Sequence, residues 1–211
     1  MNNVIIRDVE INDILSIKTV INEVWEWDTI IEDEKTLDAA MGLYLSQVLL
    51  NGTFGRVAVL NNKVVGVIFG SVDGVKPQYR MLMEDATAHA MTLFGATERD
   101  RKNFYEVMLK LSSTYKQLMN GIRENYNGTL DFLVLAEYAQ GLGIGKSLWL
   151  ALKEYFEENK VKSIYLYSDT ECNFGFYESQ GFTKRREIEV EFNYDGELFK
   201  VNEFLYDLTF S

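Results

Sequence analysis

The sequence has very few of the residues that build disulfides, metal sites and histidine-based catalytic centres. Its 211 residues include one cysteine, Cys172, and one histidine, His89. An internal disulfide and a metal site made of several Cys and His ligands are therefore excluded, and no metal is expected. A Ser-His-Asp or Cys-His centre would depend on His89, which lies in the alanine-rich stretch EDATAHAMTLFG. That stretch favours a helix with a surface histidine, so we expect the chemistry to use other side chains.

Positive charge is also scarce. Lys and Arg total 21 against 32 Asp and Glu, a formal net charge of -11. This balance disfavours nucleic acid or an anionic membrane as the main partner. An acidic surface favours cationic ligands such as amines, although it also serves solubility. The chain has no apolar run long enough to span a bilayer, and its first residues do not resemble a signal peptide. We expect a cytoplasmic protein.

Proline is nearly absent as well. The single one, Pro77, stands at the entrance to a polar, helix-forming region of about residues 73–128, which we predict to be a helical insertion. Its apolar residues recur every three or four positions, at Phe104, Met108, Leu111, Tyr115, Leu118 and Ile122. Packing against the same domain usually explains such a seam, while a lid or a homodimer face is an alternative.

Strand-like and helix-like patterns alternate along the rest of the chain. The predicted order is βααββ, the insertion between the third and fourth strands, then βαβαββ. The unit made by strand 130–135, helix 143–159 and strand 163–168 predicts that these two strands are parallel neighbours. We therefore predict a single α/β domain over residues 1–211, with a mixed central sheet flanked by helices.

The stretch AQGLGIGKS, residues 139–147, follows the predicted strand DFLVL and is rich in glycine. An ATP-binding P-loop would need glycine where Gln140 stands. A dinucleotide fingerprint would need glycine where Lys146 stands. The pattern Gln/Arg-x-x-Gly-x-Gly/Ala fits without exception, at Gln140, Gly143 and Gly145.

With this pattern the chain resembles the GNAT superfamily of acyl-CoA-dependent N-acetyltransferases. The likeness is strongest over about residues 128–183, where strand, loop, helix and strand are followed by Phe176-Tyr177 and Gly181-Phe182. The resemblance implies a GNAT-like fold, acetyl-CoA as cosubstrate and transfer of the acetyl group to a primary amine of a small molecule or peptide. One family motif is only partly kept, because Thr170 and Asn173 stand where Asn and Ala are common.

The resemblance also implies where acetyl-CoA binds. Main-chain groups of the strand before the loop would bond the pantetheine arm like an extra strand. Loop N–H groups would hold the pyrophosphate at a helix N-terminus, where glycines permit close approach. The predicted binding residues are Leu133, Val134, Leu135, Gln140, Gly141, Leu142, Gly143, Ile144, Gly145, Lys146, Ser147, Asn173 and Phe176.

The resemblance assigns Tyr177 as the acid that protonates the departing thiolate, because a phenol stays protonated near neutral pH. Glu137 is the first candidate for the base that deprotonates the amine, and Asp131 is the second. Candidate walls of an acceptor pocket, which core packing explains equally well, are Trp25, Trp27, Tyr79, Phe104 and Tyr105.

The sequence does not identify the acceptor, and three other classes remain open. One is a non-catalytic acyl-CoA-binding module, suggested by the unidentified base. Another is a P-loop-like nucleotide enzyme, suggested by Gly145, Lys146 and Ser147. The last is a structural protein whose helical insertion is a docking surface.

Overall fold

The computed structural model describes residues 4–210. Its strands are β1 (Val4–Asp8), β2 (Phe54–Leu60), β3 (Lys63–Val72), β4 (Gly128–Leu135), β5 (Ser163–Asp169), β6 (Thr183–Tyr194) and β7 (Glu197–Thr209). Its helices are α1 (Ile14–Trp25), α2 (Glu34–Asn51), α3 (Ala86–Gly95), α4 (Glu98–Met119), α5 (Ile144–Glu158) and α6 (Phe174–Ser179). The strands form a mixed seven-stranded sheet in the order β1-β2-β3-β4-β5-β7-β6, which confirms the predicted α/β fold.

Local sequence signals set several of these boundaries. The side chain of Asp33 accepts the N–H of Thr36 at 2.8 Å and so caps α2. The hairpin between β2 and β3 turns at Asn61 and Asn62, whose φ values of 51° and 62° are left-handed. Asparagine tolerates this conformation better than most residues, as two-residue hairpin turns require.

Helices cover both faces of the sheet. α5 lies close to β3 because Gly66 and Gly70 face it: a Cβ on Gly70 would come within 2.5 Å of Leu152. Because side chains alternate along a strand, Ser71 faces the opposite side, which α1 and α2 cover. We call these the α5 face and the α2 face.

α4 packs on the α2 face of the same sheet. Its Tyr115 ring stacks on Tyr167 of β5 with 4.0 Å between centroids, and Leu111 packs against a small apolar cluster of β6 and β7. Leu118 is fully buried, whereas Ile122 lies beyond the end of the helix. α4 is the longest helix, at 22 residues. Over the described part of the chain, no helix combines the length and apolar character needed to cross a membrane.

Candidate active site

β4 and β5 are parallel neighbours, as predicted, but they separate soon after they begin. Within the described chain, residues 128–129 pair with residues 164–165 and the pairing then stops. Beyond this point β4 continues against β3, while β5 continues against β7. The two halves of the sheet therefore diverge and leave a gap along one edge of β4.

The open edge of β4 presents main-chain hydrogen-bonding groups. Ala136 donates its N–H to the Val65 carbonyl at 2.8 Å, so it faces β3. Alternate residues of an antiparallel ladder face opposite ways, which places the main-chain groups of Leu133 and Leu135 toward the gap and those of Val134 toward β3. Two of the three predicted strand residues can thus extend the ladder to a ligand in the gap.

The predicted phosphate loop follows β4 after a short 3₁₀ turn, Glu137–Ala139. Gly141 and Gly143 have left-handed φ values of 73° and 76°, which other residues rarely adopt. Among residues 4–210, leaving aside each glycine and its two chain neighbours, no atom lies within 4 Å of the position that a Cβ would take on either glycine. The loop is therefore open to a ligand over its glycines.

The loop's N–H groups are available to such a ligand. Those of Gly141, Leu142 and Gly143 donate no hydrogen bond to any residue of the described chain. The first N–H groups of α5 lack intrahelical acceptors because of helix geometry. These donors lie at the positive end of the helix dipole, so the residues present fit a diphosphate group.

The predicted side chains of the loop differ from one another in burial and in hydrogen bonding. Ile144 is buried in the core. The Ser147 hydroxyl donates to the Gly143 carbonyl at 3.1 Å, so it supports the turn itself. The remaining predicted side chains are exposed, at Gln140, Leu142 and Lys146.

α6 lies against the start of α5. A Cβ on Gly145 would lie 3.8 Å from the Phe176 ring and 3.9 Å from Leu135. The end of β4, the start of α5 and α6 therefore meet at one end of the gap. Asn173 stands exposed at the N-cap of α6. The structure thus brings the predicted acetyl-CoA residues of three elements together.

Tyr177 follows in α6 and is partly buried. Its ring packs against Phe182 and Tyr206, with centroids 5.9 and 6.4 Å away. Burial raises the pKa of Tyr177 above its ordinary value, and neighbouring groups that include Asp169 and Tyr44 raise it further. The phenol is therefore protonated at neutral pH, which is the state that a general acid requires.

Asp131 occupies a β-bulge in β4. Leu130 and Phe132 lie opposite consecutive residues of β3, which leaves Asp131 as the extra residue. Its carboxylate accepts a hydrogen bond from the Ser71 hydroxyl at 3.1 Å, on the α2 face. Its second oxygen is buried without a hydrogen-bond partner in residues 4–210. Burial raises the pKa of Asp131 to about 7.

Glu137, the other candidate base, lies in a different environment. It is exposed in the 3₁₀ turn between β4 and the loop. Asp131 is thus a half-buried residue with one buried carboxylate oxygen on the α2 face, and Glu137 is a solvated residue near the phosphate loop.

Two further carboxyl groups face the same side of the sheet as Asp131, and neither is among the predicted acetyltransferase site residues. Asp169 at the end of β5 lies directly opposite Glu203 of β7, so their side chains share a face. Glu203 is only 2% exposed, and one of its oxygens has no partner among residues 4–210. Burial, together with the charge of Asp169, raises the pKa of Glu203 to about 8.

Aromatic rings surround these carboxyl groups. Tyr44 of α2 lies 5.0 Å from Trp25 and 6.0 Å from Phe132, measured between centroids. Burial raises the pKa of Tyr44, and the contributions of Asp131, Glu203 and Asp169 raise it further. Ionisation of Tyr44 is therefore disfavoured both by burial and by these three carboxyl groups.

The predicted acceptor walls divide into two groups. Trp25 and Trp27 contact each other, and Trp27 also contacts Phe104, so these three gather beside α2. The Tyr79 hydroxyl donates to carboxylate and carbonyl oxygens near β1 and β2, and Tyr105 is 44% exposed. Only the first group lies near the gap.

Comparison with known proteins agrees with this geometry. Residues 86–197 match a family model described as an acetyltransferase (GNAT) domain. The match covers more than half of the chain and includes the loop, α6 and β6. The fold and the loop define an acetyltransferase, and the chain belongs to the GNAT acetyltransferase family. No match was found among curated proteins.

Solved structures share the fold at low sequence identity. A ribosomal-protein-alanine N-acetyltransferase from Brucella melitensis is 17% identical, with a TM-score of 0.56 and coverage of 98% of this chain and 99% of the other. PaiA N-acetyltransferase from Thermoplasma acidophilum, solved with coenzyme A, is 16% identical, with a TM-score of 0.53 and 99% coverage of both chains. An N-acetyltransferase from Staphylococcus aureus Mu50 is 13% identical, with a TM-score of 0.55 and 98% coverage of both.

Family membership confirms the expected class. The chain is an acyltransferase, and acetyl-CoA is its cosubstrate. The diphosphate-compatible loop after β4 gives this assignment a physical basis.

Proposed function

We propose that residues 1–211 act as one N-acetyltransferase domain that moves the acetyl group of acetyl-CoA to a primary amine by direct attack. The observation that carries this proposal is the gap between β4 and β5, which opens beside the free N–H groups of the loop. The half-buried Asp131 lies on β4, with its carboxyl group on the α2 face. Donor and acceptor can therefore approach the gap from different faces of the sheet.

In the proposed arrangement the loop binds the diphosphate through its main chain. The pantetheine arm runs along β4 and bonds the groups of Leu133 and Leu135, as an added strand would. This places the thioester in the gap beside Tyr177. The exposed amide of Asn173 and the ring of Phe176 border the same end of the gap.

Each proton in the proposed reaction has a donor and an acceptor. An ammonium group gives one proton to Asp131 and becomes a neutral amine, whose nitrogen attacks the thioester carbonyl carbon. As the carbon–nitrogen bond forms and the carbon–sulfur bond breaks, Tyr177 gives its proton to the departing sulfur. The proton that the nitrogen sheds on becoming an amide restores the phenol, and Asp131 later releases its proton to solvent.

Asp131 is a better candidate for the base than Glu137. A base works best when its pKa lies near the working pH, and burial raises the pKa of Asp131 to about 7. The side chain also shares the α2 face with Tyr44 and the aromatic group beside it. Glu137 is exposed and lies nearer to the phosphate loop.

The direct test measures coenzyme A binding by calorimetry and then thiol release from acetyl-CoA with a panel of primary amines. We expect one coenzyme A per chain and amine-dependent thiol release. Cofactor binding without thiol release from any amine would indicate an acyl-CoA-binding module instead. Binding of ATP with Mg²⁺, and not of coenzyme A, would indicate a nucleotide enzyme.

A further inference from the structure

Glu203 differs from the other buried acidic residues of the described chain. Asp207 lies on the same strand and the same face, where it accepts hydrogen bonds from Arg185 at 2.7 Å and Tyr126 at 3.1 Å. Asp13 is paired with Arg7, and Asp100 accepts main-chain N–H groups. The fold therefore provides partners for these three carboxylates, whereas one oxygen of Glu203 and one of Asp131 are buried without a partner in residues 4–210. A carboxyl group without a partner is costly to ionise.

The surroundings of Glu203 increase that cost. The charge that raises its pKa is another carboxylate, Asp169, and no cationic side chain of residues 4–210 offsets it. On the α4 side it faces Tyr115, whose pKa is raised by burial and by the contributions of Glu203 and other neighbours. Phenols and carboxylates cannot neutralise an anion, so Glu203 is protonated at neutral pH unless a cation from outside the chain stabilises its ionised form.

The spacing of the carboxyl groups favours an extended cation over a metal ion. Asp131 and Glu203 lie on β4 and β7, with β5 between them, so they are separated by at least about 10 Å at ordinary strand spacing. Within the described chain, no group of three or more His, Cys, Asp or Glu side chains could hold a metal ion. Two separated anionic positions match a ligand with two separated positive charges.

The rings beside the carboxyl groups suit such a ligand. Trp25, Tyr44 and Phe132 contact one another mostly edge to face. Aromatic faces attract ammonium groups, most strongly where water is excluded, and also pack against alkyl chains. An acceptor with its own carboxylate or phosphate would meet like charges here.

We propose that the acceptor is a linear alkyl diamine or polyamine, whose reacting nitrogen lies at Asp131 and whose second ammonium group binds Glu203 and Asp169. This inference rests on the proposed acetyl transfer and adds the acceptor class. It makes Glu203 a specificity-determining residue that touches the substrate away from the reacting nitrogen.

Calorimetry on the full chain tests this, with and without coenzyme A. The probes are 1,4-diaminobutane and spermidine, compared with n-butylamine and 4-aminobutyrate. We expect at least one of the first two to bind at least about 10-fold more tightly than n-butylamine at pH 8. Glu203→Gln should remove most of that preference and leave n-butylamine binding unchanged. Glu197→Gln, at an exposed position of the same strand, is the matched control and should keep the preference.

The wild-type chain offers a second measurement that needs no variant. The pKa of Glu203 is about 8 and that of Asp131 is about 7, so both ionise further as pH rises from 6 to 8.5, while alkylamines stay protonated. Diamine affinity should therefore increase over this range and binding should release protons. Asp131 is also influenced by Arg123 and Asp73, whose effects are opposite in sign.

Several outcomes would overturn the inference. These are equal binding of n-butylamine and the diamines, tighter binding of 4-aminobutyrate, or a diamine preference that survives Glu203→Gln. If coenzyme A binds and other amines release thiol, the acetyl transfer proposal stands and only the acceptor class is wrong. If coenzyme A does not bind and no amine releases thiol, the proposed function itself fails.

Discussion

The two faces of the gap differ in what they offer a ligand. On the α5 face the loop presents main-chain N–H groups between glycines whose missing side chains leave open space. The α2 face instead carries side chains: the carboxyl groups of Asp131, Asp169 and Glu203, and the aromatic rings of Trp25, Tyr44 and Phe132. Main-chain donors suit a constant chemical group such as a diphosphate. Side chains suit recognition of the acceptor, because single substitutions can change them and the acceptor differs from one family member to another.

The most severe test of this comparison is Tyr177→Phe, because the phenol belongs to the reaction itself. We expect turnover to fall on the order of 10³-fold, within the usual range for a general acid. Acetyl-CoA affinity should change less than threefold, because the ring still packs against Phe182 and Tyr206. Steady-state kinetics combined with calorimetry separates the two effects. Unchanged turnover would remove Tyr177 from the mechanism.

A smaller effect should separate the two candidate bases. Asp131→Asn should lower kcat/KM about 100-fold, whereas Glu137→Gln should change it less than threefold. Since the pKa of Asp131 is about 7 and the base must be ionised to accept a proton, wild-type activity should rise with pH up to about 7 and then level off. That bend in the pH–rate profile should disappear in Asp131→Asn. If it disappears in Glu137→Gln instead, the assignment is reversed.

The smallest expected effect concerns the loop. Gly143→Ala places a Cβ at a left-handed position open to the ligand, and we expect coenzyme A affinity to fall about 10-fold, or about 1.4 kcal/mol. Gly74→Ala is a matched control, because Gly74 has a similar φ of 81° and equally open surroundings but lies in the turn after β3. Both variants should lose similar stability through backbone strain. Equal loss of coenzyme A affinity in both would contradict a direct role for the loop.

Much of the α5 face could be predicted from the sequence. Loop chemistry depends on consecutive residues, and the pattern at Gln140, Gly143 and Gly145 is local. The predicted parallel neighbours, β4 and β5, follow equally from a local strand–helix–strand order. What the pattern could not show is that the Ser147 hydroxyl bonds within the helix, because that depends on rotamer geometry.

The α2 face was harder to predict because its groups come from distant parts of the chain. Tyr44, Tyr115 and Glu203 meet only after α2, α4 and β7 pack on one sheet face. One signal was present: Glu203 lies on the same strand face as the core residues Val201 and Leu205. An acidic residue at an inward-facing strand position indicates either a buried ion pair or a ligand site. Only the structure distinguishes the two.

The extra residue in β4 has a consequence for how this enzyme can change. Side chains alternate along a strand, so a regular β4 with Phe132 on the α2 face would turn residue 131 toward α5. The bulge redirects Asp131 to the opposite face, where Ser71 bonds it. Loss of Asp131 would therefore restore a regular strand and remove the carboxyl group from the α2 face, while the sequence of the loop downstream stays intact. Relatives that differ in length at this point could share the donor and yet accept different molecules.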